Sequence, residues 1–532
     1  MAKPANSSRR QFVSTAGLAA AGFVIVPRHV LGRGFQAPSD RLNIAFVGVG
    51  GRGRSDMTNM SSENIVAMCD IDWSYAEKGF ASLDLDIAAL QKRIDDNIVE
   101  VRVPASARNE GAAPAITTRP MTPLERSRAI ANVERQRRLK TAIPKATRHQ
   151  DYRRMLEQQK DIDAVVVATA DHLHAGIALA AMDLGKHVYV EKPLTWSVAE
   201  ARQLTRRAAE TKVATQMGNQ GHSLDDGRMA VEYLWSGAIG EVKEVHIWTN
   251  RPLGYWPQGV PRPAPLKTAE QDLKWNGPGI NARLGAAMMG NYPLPDGIAW
   301  DLFLGPAPWV DYHPVYHPFN WRGWVDWGSG PLGDMGAHLI DHAYWALELG
   351  FPTTIETVST PFNGLSFPHA TSTFYEFPAR GKQPAVKMTW YDGGLLPPKP
   401  VEIGDEELNK GGGTLVIGTK GKLLYDTYGV KPRLLPKTLH ESFGLPARKL
   451  ARIPDELHEM NWVEAAKGKT PPSCPFKYAA KLTEVMLLGI VSLRAGKKIV
   501  YDAANMRVTN DAGANEFLTR QARSGWATDK HR

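Results

Sequence analysis

The feature that most constrains this chain is a glycine turn placed directly behind a strand. Residues Leu42 to Val47 form a short apolar run, and Gly48-Val49-Gly50-Gly51-Arg52-Gly53 follows at once. A GxGxxG pattern in that position predicts the strand, tight turn and helix of a dinucleotide-binding unit. Gly48 permits the turn, Gly50 lets the backbone approach a pyrophosphate, and Gly53 lets the helix pack closely on the strand. Gly51 and Arg52 complete the cofactor-facing turn, and the helix N-terminus meets the negative charge. A second apolar run, Ile65 to Met68, ends in Cys69-Asp70, which sets an acid 22 residues after Gly48. Such an acid holds a ribose 2′-hydroxyl, so Asp70 favours NAD. Arg52 and Arg54 keep NADP open, because guanidinium groups near that ribose accommodate a 2′-phosphate.

With 532 residues, 43% of them hydrophobic, the chain can bury two substantial cores. The first domain is assigned to residues 38–195, with an insertion over about 83–145 between its second and third strands. The pattern resumes at Asp163 to Thr169 with the buried-strand run AVVVAT. Thr169, His172 and His174 follow that strand's carboxyl end, where open α/β sheets bind ligands, although either histidine reads equally as a loop residue. After a predicted helix Ala175 to Leu184, a strand His187 to Val190 runs into Glu191-Lys192-Pro193. A lysine there would sit near a nicotinamide and hydrogen-bond the reacting oxygen, whereas in isolation it reads as a surface lysine. Residues 196–532 form the second domain. Strand-like runs at Val242 to Trp248, Ile355 to Thr360, Thr371 to Phe377, Val386 to Tyr391 and Thr414 to Leu424 make it sheet-rich, and an apolar helix is predicted around Ala479 to Leu493.

The net charge of +9 raises a nucleic-acid partner, but residues 1–37 hold five of the cations and no acid, which leaves +4 for the rest. Much of that lies on a helix predicted to begin at Pro123, where Arg126, Arg128, Arg135, Arg137, Arg138 and Lys140 read as a solvated face. No nucleic acid is implied. Cys69 and Cys474 are the two cysteines, too few for a disulfide framework or a cysteine metal site. Near the start, Ser8-Arg9-Arg10-Gln11-Phe12 precedes the apolar run Ala16 to Val26. This reads as a twin-arginine export segment over 1–37 and implies a periplasmic or otherwise exported protein. The run is about half the roughly 20 residues that span a bilayer, so a stable membrane span is not expected.

Ser329-Gly330-Pro331 opens a predicted helix over Leu332 to Leu349. Asp334, His338 and Asp341 fall at i, i+4 and i+7, on one face, opposite apolar Leu339, Ile340, Ala343 and Leu347. Oxidising a secondary alcohol requires hydride departure and removal of the hydroxyl proton, and an imidazole suits the second task. Asp341 reads either as part of the cleft or as a structural acceptor. His338 and His342 form HxxxH near Asp334 but lack the HExxH glutamate, so no metal is assigned. Just before the helix, Trp321, Arg322 and Trp324 offer ring faces and hydroxyl-binding groups for a polyhydroxylated substrate, or else core packing. Gln220, His222 and His342 are further substrate candidates.

Taken in order, the GVGGRG turn, Asp70, the ATADHLHA segment, Glu191-Lys192-Pro193 and the GDMGAHLIDH stretch resemble the glucose-fructose oxidoreductase and inositol dehydrogenase family, Gfo/Idh/MocA. The resemblance runs from Leu42 to about Trp526, and departs from the family in Ala170, where proline is usual, and in the long insertion. It implies a Rossmann domain joined to a C-terminal α+β domain with a large, open, mostly antiparallel sheet, a returning C-terminal helix and homo-oligomers through the sheet. It also implies chemistry on a carbohydrate, with His338 as general base, Asp334 as its orienter or proton relay, and Lys192 as the oxygen-polarising cation. The reading is a sugar oxidoreductase with tightly held NAD. An NAD-dependent glycoside hydrolase and a non-catalytic sugar sensor remain as alternatives.

Overall fold

The computed structural model describes residues 40–103, 115–263 and 292–527. Residues 1–37, read above as an export segment, lie outside the described residues. In chain order the first strands are β1 (Asn43–Val47), β2 (Asn64–Cys69), the hairpin β3 (Ile98–Val103) and β4 (Ala115–Pro120), β5 (Thr147–His149), β6 (Ala164–Val167), β7 (His187–Val190) and β8 (Thr215–Met217). All but the hairpin join one parallel sheet, ordered β5-β2-β1-β6-β7-β8. Helices cover both faces, which is why runs such as Ala164–Val167 are apolar throughout and fully buried.

Register places the functional loops. Val47 sits opposite both Cys69 and Val167, and Val167 opposite Val190. Gly48, Asp70, Ala168 and Glu191 therefore leave the sheet together at its carboxyl edge. The third strand differs from the sequence reading. It is β5, an edge strand of 3 residues with two of them exposed, so it shows no apolar run, and Ala164–Val167 is the fourth. The insertion before it is a helix Leu83–Asp95, the β3–β4 hairpin and a helix Pro123–Ala142, started by a capping box between Thr122 and Glu125. Its cations stay largely on the surface, some of them engaged there: Arg126 donates to the Ile94 carbonyl, Arg128 pairs with Glu456 and Lys140 with Asp84. The sheet also continues past residue 195, since β8 is its last strand.

The second sheet comprises β9 (Val242–Thr249), β10 (Thr354–Ser359), β11 (Thr371–Phe377), β12 (Val386–Tyr391), β13 (Gly412–Gly418), β14 (Lys422–Asp426), β15 (Arg433–Leu435), β16 (Ile499–Asp502) and β17 (Arg507–Val508). Its order is β15-β14-β13-β9-β12-β11-β10-β16-β17, antiparallel except between β9 and β12. The run Thr414 to Leu424, expected as one strand, turns back on itself as β13 and β14, with Gly418 N–H donating to the Gly421 carbonyl. Along β11, residues alternate between a buried and an outward face. Thr373 and Tyr375 on the buried face meet the helix Phe476–Ala495 at Gly489. That helix also packs on Val198–Thr211 and on β8 of the first sheet, and Glu484 on it accepts from Arg202 at 2.9 and 2.6 Å. Among the described residues no helix is long and apolar enough to cross a membrane.

The glycine turn makes a sharp test of the fold. A Cβ on Gly53 would stand 1.8 Å from the Gly48 carbonyl oxygen, a backbone atom that cannot step aside. Gly53→Ala is therefore expected to cost about 3 kcal/mol, the upper end for overpacking, and to weaken dinucleotide binding through the displaced turn. A denaturant midpoint equal to the parent protein's would show that Gly53 is not packed this way.

Candidate active site

A cavity of about 510 Å³ runs along the carboxyl edge of the parallel sheet. Gly48, Gly50, Gly51, Arg52, Asp70 and Thr169 line one part of it. Gly48 adopts φ +84°, and a Cβ there would meet the Ala168 carbonyl oxygen at 2.5 Å, so only glycine fits the turn. Gly51 caps the helix Arg52–Asn59 with no side chain covering its end, which leaves backbone N–H donors for an anion. The Asp70 carboxylate accepts from the N–H groups of Val49, Gly50 and Asp72 at 2.8, 3.1 and 3.0 Å, and burial pushes its carboxyl upward. Arg52 is held by Glu191 at 3.0 Å, Glu459 at 2.7 Å and Asp56 at 3.1 Å. Arg54 donates to the Gly79 carbonyl, Ser82 and Asp86, off the cavity. The glycine cradle, the uncapped helix end and the acid one strand away fit a dinucleotide, its pyrophosphate on the turn and a ribose at Asp70.

The other part of the cavity gathers Glu191, Lys192, Gln220, Trp321, Arg322, Asp334 and His338. Lys192 Nζ donates to the Asp334 carbonyl at 2.6 Å and to its Oδ1 at 2.8 Å. Arg251 and Arg322 approach the same carboxylate at 3.5 and 3.6 Å. Burial alone would raise the Asp334 carboxyl, but Lys192 and Arg322 outweigh it and hold the group ionised far below the usual carboxylate range. Asp171, also on the cavity, is pushed up to about 7 by burial, against the pull of Arg322 and Lys192. Burial drives the His338 imidazole well below its ordinary value, and the Lys192 charge adds to this, so the ring is neutral at neutral pH. Its Nδ1 has no hydrogen-bond partner among the described residues, and Tyr428 meets the ring edge-on at 4.7 Å.

Several expectations change here. Asp334, read as the orienter or proton relay of His338, hydrogen-bonds Lys192 rather than the imidazole. The predicted helix Leu332 to Leu349 is broken at Ile340 into Gly330–Leu339 and Asp341–Leu347, and Asp341 turns away from the cavity. Its carboxylate accepts from Tyr478 at 2.6 Å and Asn219 at 3.0 Å and pairs with His222 at 2.8 Å. Burial would raise this acid, yet His222 beside it brings it down to about 2. His222 is stacked on Trp345, and His342 is bonded to the Gly221 carbonyl, so neither lines the cavity. Trp324 belongs to an aromatic core with Tyr316 and Trp327. His172 is spent on the Phe303 carbonyl, and His174 bridges the carbonyls of Pro193 and Thr169. Gly53 works beneath the turn. Asp171, Arg251, Tyr428 and Trp526 were missed; Asp171 follows the β6 motif directly, and Arg251 follows β9, which are the two signals that could have found them.

Two family models match the chain: residues 111–219 match the NAD-binding Rossmann fold of the oxidoreductase family, and residues 275–359 its C-terminal alpha/beta domain. Both matched stretches are described by models of Gfo/Idh/MocA proteins. The N-terminal half is an NAD-binding Rossmann fold. Levoglucosan dehydrogenase of Pseudarthrobacter phenanthrenivorans is 32% identical over 92 residues, 17% of this chain and 23% of that protein. Glycosyl hydrolase family 109 protein 1 of Shewanella sp. strain ANA-3 is 33% identical over 116 residues, 22% of this chain and 25% of that protein. The matched stretch thus spans about a quarter of these curated relatives. Among solved structures, the WlbA dehydrogenase of Bordetella pertussis in complex with NADH and UDP-GlcNAcA is 13% identical, with a TM-score of 0.49, covering 87% of this chain and 99% of that one.

Proposed function

We propose that this chain is an exported oxidoreductase that moves a hydride between a retained NAD and a hydroxyl or carbonyl carbon of a sugar or glycoside. The carrying observation is that the glycine turn and the group Lys192, Asp334 and His338 line one cavity. A nicotinamide held by the glycine turn and Asp70 would supply the hydride acceptor for the carbinol carbon. His338 takes the hydroxyl proton on its neutral imidazole, which leaves a carbonyl and balances the step. Lys192, aimed by both oxygens of Asp334 it touches, sets its ammonium against the reacting oxygen. Trp321 offers a ring face, with the Arg322 guanidinium stacked on it at 4.2 Å. NAD rather than NADP is supported by Asp70 and by the engagement of Arg52 and Arg54 with other partners. Export rests on the twin-arginine segment. Self-association through the second sheet is supported by Val358, Phe374 and Val500, exposed on strands β10, β11 and β16.

The family 109 relatives favour a second reading on the same site, in which transient ring oxidation acidifies a neighbouring C–H, the aglycone is eliminated as an alcohol, water adds to the unsaturated ketone left behind and the hydride then returns to the carbonyl carbon. Denaturing the purified protein is expected to release one nicotinamide dinucleotide per chain, and a carbohydrate panel followed by mass spectrometry is expected to yield an oxidised sugar. Free alcohol without net NADH would select the hydrolase. No nicotinamide released, and none bound on titration, would overturn both.

A further inference from the structure

The C-terminal segment returns to the cofactor cavity at the end remote from the reacting groups. Trp526 lines the same cavity as Gly48 and Asp70. Its position is anchored from both sides. Arg523 donates to the Asp301 carbonyl at 3.0 Å, to Asp301 Oδ1 at 2.6 Å and to the Gly305 carbonyl at 3.1 Å, and its own N–H reaches the Pro306 carbonyl at 3.0 Å. Trp526 N–H closes a turn onto the Arg523 carbonyl at 3.0 Å. Further back, Arg520 donates to the His172 carbonyl at 3.2 Å and covers the Trp196 ring at 3.9 Å. On the other side the Arg153 guanidinium stacks on the Trp526 ring, 4.4 Å from its centre.

Topology says which part of a dinucleotide lies there. Arg153 follows β5, the edge strand next to β2, and Asp70 N–H donates to the His149 carbonyl at 3.1 Å, so this is the ribose-acid end of the cavity. Lys192 follows β7, beyond β1 and β6 on the opposite side. A dinucleotide with its nicotinamide at His338 and Lys192 and its far ribose at Asp70 puts the adenine on the β5 side. Tyr152, Leu173 and Trp526 line the cavity there. We propose that Trp526 is the stacking partner of the adenine, and that the segment from Gly513 to Trp526 is a strap that holds the dinucleotide in place. The inference rests on the dinucleotide reading above and adds a residue that the glycine fingerprint does not contain. It also gives cofactor retention a structural cause: the strap must lift its arginine anchors before the adenine can leave.

The test uses the full chain and two probes, NADH and the reduced mononucleotide NMNH, which lacks the adenosine half. NADH release is followed by fluorescence after dilution into excess unlabelled NAD. Trp526→Ala is expected to release NADH about tenfold or more faster, since losing an aromatic stack on a base typically weakens binding by that order. Trp526→Phe keeps a ring and should stay near the parent rate. Arg523→Ala lies off the cavity, loosens the anchor and should fall between. NMNH affinity should be the same in all four proteins. Equal NADH release from the parent and Trp526→Ala would overturn the proposal, and so would an equal loss of NMNH and NADH binding, which would mean that Trp526 acts through general structure. A parent protein that binds neither probe would instead overturn the dinucleotide reading itself.

Discussion

Replacing His338 by alanine is expected to lower turnover by about two to four orders of magnitude while dinucleotide binding stays nearly unchanged. The separation follows from position. His338 lines the cavity on the helix Gly330–Leu339, whereas the groups proposed to hold the dinucleotide lie on the glycine turn and at Asp70. The effect should be large because the other candidate bases among the described residues are engaged: Asp334 is tied to Lys192, His317 on the cavity wall is bonded to Asp72, and His172, His174, His222 and His342 are bonded away from the cavity, which leaves only the Asp171 carboxyl, raised to about 7 by burial, as a partial substitute. The pH profile adds a second readout. Burial depresses the His338 imidazole, so as pH falls toward and below the ordinary histidine range the base stays unprotonated, and oxidation should persist to lower pH than an exposed histidine would allow. The variant should lose that acid limb. Activity should be insensitive to chelators in both proteins. Single-turnover kinetics of the variant at several pH values check this, and turnover within a few-fold of the parent would remove His338 from the mechanism.

How much of this was legible in the sequence depended on whether the signal was local. The glycine turn, Asp70 and Lys192 each directly follow an apolar strand, and the parallel register of β1, β2, β6 and β7 carries them to one edge. Asp334 and His338 sit one turn apart within an unbroken helix, so their shared face was readable. Asp341 was not, because the partners that hold it away from the cavity, Tyr478, Asn219 and His222, come from segments distant in sequence. Trp321 and Trp324 look alike in sequence and both join one buried aromatic cluster, yet Trp321 also lines the cavity, whereas Trp324 donates to the Val315 carbonyl and meets Tyr316 edge-on. Tyr428 reaches His338 from a turn with φ +68°, a conformation that side-chain-bearing residues rarely adopt and that no local pattern announces. Trp526 comes from the far end of the chain.

Arg52 has two duties, only one of which is legible in the sequence. Read as a turn residue facing the cofactor, it also neutralises three carboxylates: Glu191 at 3.0 Å, Glu459 at 2.7 Å and Asp56 at 3.1 Å. Those acids are 4%, 2% and 0% exposed, so none can turn to water if the cation is removed. Arg52→Met is therefore expected to destabilise the fold by about 3 kcal/mol, the low end for a broken buried pair because the guanidinium itself is one-third exposed. The pH dependence has a definite sign. Burial already pushes the Asp56 carboxyl well above its ordinary range, with Arg52 opposing, so losing Arg52 raises it further in the folded state alone. A carboxyl with a folded value above its unfolded one stabilises the fold at low pH, and that contribution disappears as pH rises through the folded value. The deficit of Arg52→Met relative to the parent should accordingly be larger at pH 8 than at pH 5.5, and adding Asp56→Asn should recover part of it at pH 8. Because Glu191 is the residue before Lys192, the variant should also lose turnover, which a purely remote surface arginine would not do. Denaturant midpoints at the two pH values decide the matter: a deficit that does not change with pH, or one that Asp56→Asn deepens, would show that Arg52 is not the counter-charge of this cluster.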